Sequence, residues 1–201
     1  MDLLEKYNIK KVFTKEAKDL NEIIEIAEKI PSLVLKVSTN LPIHKTELGL
    51  VKLNVTKENV KEEYEDLMNN IKRANIKYSG IIVQEMARPG IEMICGFKED
   101  PQFGKVILFG FGGIYTEIFK DVSMRIVPID RVGAIEMIEE LKYKDIFTAR
   151  GRNYNKEKMV DLILKVNEIA KNEEDIAELD LNPVIFYEND YVVIDWRIVK
   201  K

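Results

Sequence analysis

Four strand-like runs follow one another between Gly80 and Ile129 with no helical pattern between them: GIIVQEM (80–86), EMICGF (92–97), KVILFGFGG (105–113) and VSMRIVPI (122–129). That succession breaks any regular βαβ alternation, so a doubly wound Rossmann arrangement fits poorly and an α+β protein in two lobes fits better. Before these runs, helices and strands interleave. Leu20, Ile23, Ile24, Ala27 and Ile30 share a helical face within 17–30, and Pro31 stops that helix. SLVLKV (32–37) and LVKLNV (50–55) read as strands. Thr56 is placed to cap a helix striped by Val60, Tyr64, Leu67, Met68 and Ile71. After the four strands come a helix around 131–142, with Ile135, Ile138 and Leu141, and another around 156–171. Arg88-Pro89-Gly90 marks the natural boundary, which gives lobes 1–86 and 87–201 with strand 80–86 as the hinge.

Composition narrows the class of function. A formal net charge of −4 argues against a general nucleic-acid binder, which carries a basic excess or stripe. The lone cysteine, Cys95, cannot make an internal disulfide, and a cytoplasmic setting fits best. MDLLEKYNIKKVF is not a signal peptide, and the longest apolar run is far short of a membrane span, so no membrane role is expected. At 201 residues the chain can bury a sizeable core.

Several polar groups stand where apolar strands do not need them. ELDLNPVIFYENDYVVIDWR (178–197) puts Asp180, Asn182 and Asp195 in or beside runs of Val, Ile, Phe and Tyr. Asn182 and Asp195 on adjacent strands, with Asp180 two residues earlier on the same face, are hard oxygen ligands of the kind magnesium shares with nucleotide phosphates. The same residues read equally as a solvent-facing strand edge with an Asn-Pro turn. Gly110, Gly112 and Gly113 let backbone amides approach phosphate, or simply bend a strand. Lys36, ending VLKV, can reach a phosphate as a point charge or snorkel to solvent. His44, the only histidine, can carry a phosphoryl group when neutral, or can be a polar loop residue.

Taken in order, VLKV, IHKTELGLVKLNV, the block from Gln84 to Arg125 with DPQFG and FGFGGIYTEIFKDVSMR, and ELDLNP followed by ID resemble the ATP-grasp domain of ADP-forming acyl-CoA synthetases, specifically the β subunit of ADP-forming acetate–CoA ligase. The succinyl-CoA synthetase β subunit is a more distant relative. The resemblance spans about residues 32–198 and implies a two-lobed ATP-grasp fold with ATP or ADP between the lobes. It implies that Lys36 contacts phosphates, that Gln84, Glu85 and Met86 take the adenine edge, that Glu92 faces the nucleotide, and that Gly112 and Gly113 line the phosphate path. Asn182 and Asp195, with Asp180 beside them, would hold Mg2+. His44 would relay a phosphoryl group to a phosphohistidine loop on a separate CoA-binding α subunit, usually in an α2β2 assembly. The loop departs from the family's H-K-S-D-x-G-G-V at Thr46, Glu47 and Leu50, the last replacing a glycine. The implied activity is that of an acid–CoA ligase (ADP-forming) subunit. The alternatives are another ATP-grasp carboxylate ligase that forms acyl phosphate directly, and a degenerate nucleotide-binding regulatory subunit.

Overall fold

Local capping and apolar spacing set the elements of the smaller unit. The computed structural model describes residues 2–39, 41, 45–113 and 120–201, the last range without the side chain of Arg150. Helix α2 (Leu20–Ala27) starts at Asp19, whose carboxylate accepts from Glu22 N, while Glu22 Oε2 accepts from Lys18 N. This reciprocal cap satisfies amides that the first turn leaves without partners. Helix α3 (Val60–Ala74) starts later than Thr56 leads one to expect. Asn59 Oδ1 accepts from Thr56 N at 2.7 Å and Val60 N donates to Thr56 O, so residues 56–59 close as a turn before the helix begins. Asn75, left-handed at φ +51, ends α3.

The strands β1 (Thr14–Ala17), β2 (Leu33–Ser38), β3 (Val51–Val55) and β4 (Gly80–Glu85) form one sheet in the order β1-β4-β2-β3. Leu33, Leu35, Val37, Ile81 and Val83 pack against α2 and α3 through Ile23, Ile26, Leu67 and Ile71. The alternate residues, Lys36, Ile82 and Gln84 among them, point to the other face.

The chain divides into two compact units, Val12–Ala87 and Met1–Lys11 with Arg88–Lys201. The first eleven residues, expected in the first lobe, thus belong to the second. Helix α1 (Leu3–Lys6) puts Leu4 into that unit's core, and Ile9 joins it. Tyr7 Oη donates to Glu173 Oε1 at 2.7 Å, and Val193 N donates to Lys10 O at 2.8 Å.

The larger unit is built on β5 (Ile91–Asp100), β6 (Gly104–Phe111), β7 (Val122–Ile126), β8 (Ile176–Phe186), β9 (Tyr191–Val193) and β10 (Trp196–Lys200), in the order β10-β8-β5-β6-β7 with β9 beside β8. The pairings between these strands are antiparallel, and Lys11 adds an isolated parallel bridge to Val193. Helices α4 (Arg131–Glu139) and α5 (Lys156–Asn172) cover one face, where Cys95, Phe97, Ile107, Phe109, Leu179 and Leu181 are buried. Burial pushes the Cys95 thiol well above its ordinary pKa. The buried stripe that runs through α4 is Ala134, Met137, Ile138 and Leu141, not the face through Ile135, which is 39% exposed. Ala134 completes an i, i+3, i+4, i+7 pattern whose first member is too small to attract notice in the sequence. Among the described residues, no helix is long and apolar enough to cross a membrane.

Candidate functional site

Strand alternation decides what the helix-free face of the six-stranded sheet carries. With Met93, Cys95 and Phe97 turned to the core, Glu92, Ile94, Gly96 and Lys98 point the other way. On β8 the same logic turns Leu179 and Leu181 inward and Glu178, Asp180 and Asn182 outward.

The chain past Tyr191 continues the pattern. Val193 pairs with Val184 and Trp196 with Leu181, so Asp195 falls opposite Asn182 and Ile194 opposite Pro183. Asn182 N donates to Asp195 O at 3.0 Å, and Ile194 N donates to Pro183 O at 3.0 Å. Pro183 has no N–H to return, and the ladder breaks there into β9 and β10. Directly opposed residues of an antiparallel pair lie on one face with Cβ atoms about 4.5–5.5 Å apart. Asn182 and Asp195 are such a pair, and Arg197 with Asp180 is the next.

The electrostatics follow from that register. Burial raises the Asp180 pKa, the carboxylates of Glu178 and Asp195 raise it further, and the Arg197 guanidinium opposes them. Arg197 and Lys98 also approach Glu178, at 4.0 and 3.6 Å. Arg197 is a site-face residue that the sequence reading missed. Its signal is its place two residues after Asp195, on the same strand face.

Towards β6, Gly112 N donates to Glu92 O at 2.9 Å. Gly113 follows at φ +59, and a Cβ there would lie 1.7 Å from Glu92 Oε2. Gly112 is required by close approach, since a Cβ there would lie 2.6 Å from the Met93 backbone, and Gly113 by its left-handed φ, while the Glu92 carboxylate lies against this turn. Beyond them the face becomes apolar. Ile94, Leu108, Met124, Ile126 and Phe103 line a recess of about 920 Å³ whose charged lining is Lys98, Glu99, Asp100, Arg125, Glu178 and Asp180. Met124 and Ile126 are more than half exposed.

The smaller unit has its own helix-free face. Lys36 lies opposite Ile82 and Val34 opposite Gln84, two residues apart along the ladder, which puts Lys36 and Gln84 on that face together. Gln84 is buried and its Nε2 donates to Thr14 Oγ1 at 2.9 Å. Glu85 N donates to Phe13 O and Met86 N to Ser32 O, each at 2.9 Å. His44 lies outside the described residues, as does 114–119 beyond the glycine turn. Leu50, which replaces the family's glycine, is fully buried in the smaller unit's core.

The donor set fits a magnesium nucleotide better than a self-sufficient metal cage. Among the described residues, no group of three or more His, Cys, Asp or Glu is arranged to hold a metal ion. An amide and one or two carboxylates are what Mg2+ takes from a protein when phosphates and waters complete its shell.

The chain matches the model of the ATP-grasp domain family over residues 1–199. It is 36% identical to the β subunit of acetate–CoA ligase (ADP-forming) I from Pyrococcus furiosus, covering 98% of this chain and 88% of that one. It is 38% identical to acetate–CoA ligase (ADP-forming) I from Archaeoglobus fulgidus, covering 99% of this chain but 30% of that longer protein. A solved structure of Korarchaeum cryptofilum dinucleotide-forming acetyl-coenzyme A synthetase 1 superposes with a TM-score of 0.84 at 35% identity, over 98% of this chain and 88% of that one. That structure holds coenzyme A and Mg-AMPPCP, with its phosphohistidine segment pointing towards the nucleotide binding site.

Proposed function

Because the chain belongs to the ATP-grasp domain family, with the β subunits of ADP-forming acetate–CoA ligases, we propose that it is the nucleotide-binding subunit of an ADP-forming acyl-CoA synthetase. The net reaction is acyl-CoA + ADP + phosphate ⇌ carboxylate + CoA + ATP. The observation that carries this reading is the Asn182 N to Asp195 O bond, which sets those two residues opposite each other, with Asp180, a lining residue of the recess, two positions before Asn182. Apolar side chains of that recess suit a purine ring, and the carboxylates suit the metal that accompanies its phosphates.

Asn182 and Asp195 would hold Mg2+, which when bound neutralises phosphate charge. Asp180 lies beside them, and the Arg197 guanidinium opposes the rise in its pKa. Glu92 holds the glycine turn through its main-chain oxygen, and its carboxylate faces the turn. The Gly112–Gly113 backbone, bare of Cβ atoms, can come close to phosphate oxygens. Lys36 supplies a positive charge to the phosphates. The amides of Glu85 and Met86 are already used within their own unit, so the adenine edge is met by carbonyls and side chains of 84–86.

His44 is assigned the relay. A neutral imidazole accepts the phosphoryl group from the histidine of a CoA-binding α subunit and passes it to ADP, or runs the same steps in reverse. The acyl and CoA chemistry is assigned to that α subunit, in an α2β2 assembly in the cytoplasm. The Archaeoglobus relative carries much more chain.

The test is calorimetry of Mg·ADP binding followed by reconstitution. Wild-type chain should bind Mg·ADP, and Asn182→Ala and Asp195→Ala should each weaken it at least tenfold with the fold intact. Acyl-CoA-dependent ATP synthesis should require an added α subunit. Unchanged Mg·ADP affinity in both variants overturns the metal assignment, and robust synthesis by the purified chain alone overturns the two-subunit reading.

A further inference from the structure

A second recess of the larger unit lies past the end of β8 and shares no lining residue with the apolar recess. Its volume is about 490 Å³, within the range of small-ligand pockets. Arg88 and Arg152 line it from two different segments of chain. The Arg88 guanidinium lies over the Tyr187 ring, 4.1 Å from its centroid, and Tyr187 Oη donates to Arg88 O at 3.3 Å. The stack holds this fork in place without using its N–H groups on a carboxylate.

The charge balance favours an anion. Neither Arg88 nor Arg152 makes an ion pair among the described residues. Two carboxylates share the lining. Asp190 is already engaged, since it pairs with Lys10 and accepts from Tyr191 N at 2.9 Å. Glu188, exposed at the tip of the turn that Tyr187 N closes onto Asp190 O, is the other. The described lining with Lys10 therefore carries three positive and two negative charges. Tyr154, buried in the core, helps form its wall.

We propose that this recess binds a phosphate group, held between the forks of Arg88 and Arg152, at a site separate from the nucleotide face. Planar guanidinium groups bind phosphate oxygens two at a time, and two of them arriving from different segments suit a dianion. The ligand is inorganic phosphate or the terminal phosphate of a phosphomonoester. The proposal does not depend on the synthetase reading.

The test titrates the full chain by calorimetry with inorganic phosphate and, separately, with 3′-AMP, each with and without saturating Mg·ADP. Binding should persist with Mg·ADP present. Arg88→Gln and Arg152→Gln should each weaken it by about tenfold or more, the usual effect of losing a hydrogen bond to a charged group. Tyr187→Leu should weaken it through loss of the platform under Arg88. Tighter binding of 3′-AMP identifies a phosphomonoester, and equal binding identifies phosphate itself. Absence of binding, full displacement by Mg·ADP, or unchanged affinity in Arg152→Gln overturns the proposal. Arg152 is exposed, so that variant decides the matter even if Arg88→Gln fails to fold.

Discussion

Replacing Leu50 by the glycine typical of the family should destabilise the smaller unit rather than improve it. Leu50 is 0% exposed and belongs to the core formed with Val37, Leu67 and Ile71. Its backbone bonds, Leu50 N to Lys45 O at 2.8 Å and Val37 N to Leu50 O at 3.2 Å, can survive the change, so the cost is that of the side chain. Removing a buried leucine down to Cβ costs about 2–5 kcal/mol. Glycine adds about 0.5–1 kcal/mol more in backbone freedom. The sum, roughly 3–6 kcal/mol, is a large part of the ~5–15 kcal/mol that holds a domain folded. At about 4–8 °C per kcal/mol for a domain of this size, the melting transition of the unit should fall by at least about 12 °C. Circular dichroism melts and hydrogen exchange at β2 and α3 amides measure it. Leu50→Met, which conserves volume, should cost less than about 1.5 kcal/mol and serves as the control. A Leu50→Gly protein melting within about 2 °C of wild type would refute the argument.

Asp121 is buried and accepts from Lys142 N and Tyr143 N, each at 3.0 Å. Asp121→Ala removes both hydrogen bonds to a charged group, at about 1.5–3 kcal/mol each, and thermal melts should show a loss of roughly 3–6 kcal/mol. Asp180 is held above the ordinary aspartate value of 3.8, so its ionised form destabilises the fold. Asp180→Asn should therefore melt higher than wild type at pH 7 without nucleotide, and the difference should shrink as pH falls towards 3.8; a difference that grows on acidification contradicts the assignment. His44→Ala should leave Mg·ADP affinity within about twofold and abolish phosphoryl exchange between labelled ATP and a phosphorylated α subunit, a loss in turnover rather than binding; exchange within about threefold of wild type would make His44 a bystander.

The fold was legible where periodicity was strong. The stripe of α3 and the face of α5 are buried as the spacing requires, because leucine, isoleucine and valine at i, i+3, i+4 and i+7 leave one solution. What failed was local competition. Thr56 looked like a cap, yet Asn59 four-atom reach back to Thr56 N closes a turn first. Ile135 is large enough to look like core, but the buried face runs through Ala134, which is fully buried in the core cluster while Ile135 is 39% exposed. The N-terminal segment was given to the wrong unit because sequence adjacency says nothing about which core Leu4 and Ile9 enter.

The site was legible as residue types but not as register. Oxygen-bearing side chains inside apolar strands announce themselves as candidate ligands, whereas their pairing depends on which residue stands opposite which. A one-residue slip of the last segment against β8 would turn Asp195 to the core and bring its neighbours Ile194 and Trp196 outward. The observed register is held by burying Leu179 and Leu181 on one side while the backbone of Asn182 meets that of Asp195. That same register delivers Arg197 to Asp180. The arginine thus needs no motif of its own: once hydrophobic alternation fixes Asp195 opposite Asn182, the residue two further along must face Asp180, and its charge tempers the carboxylate cluster that the metal reading requires.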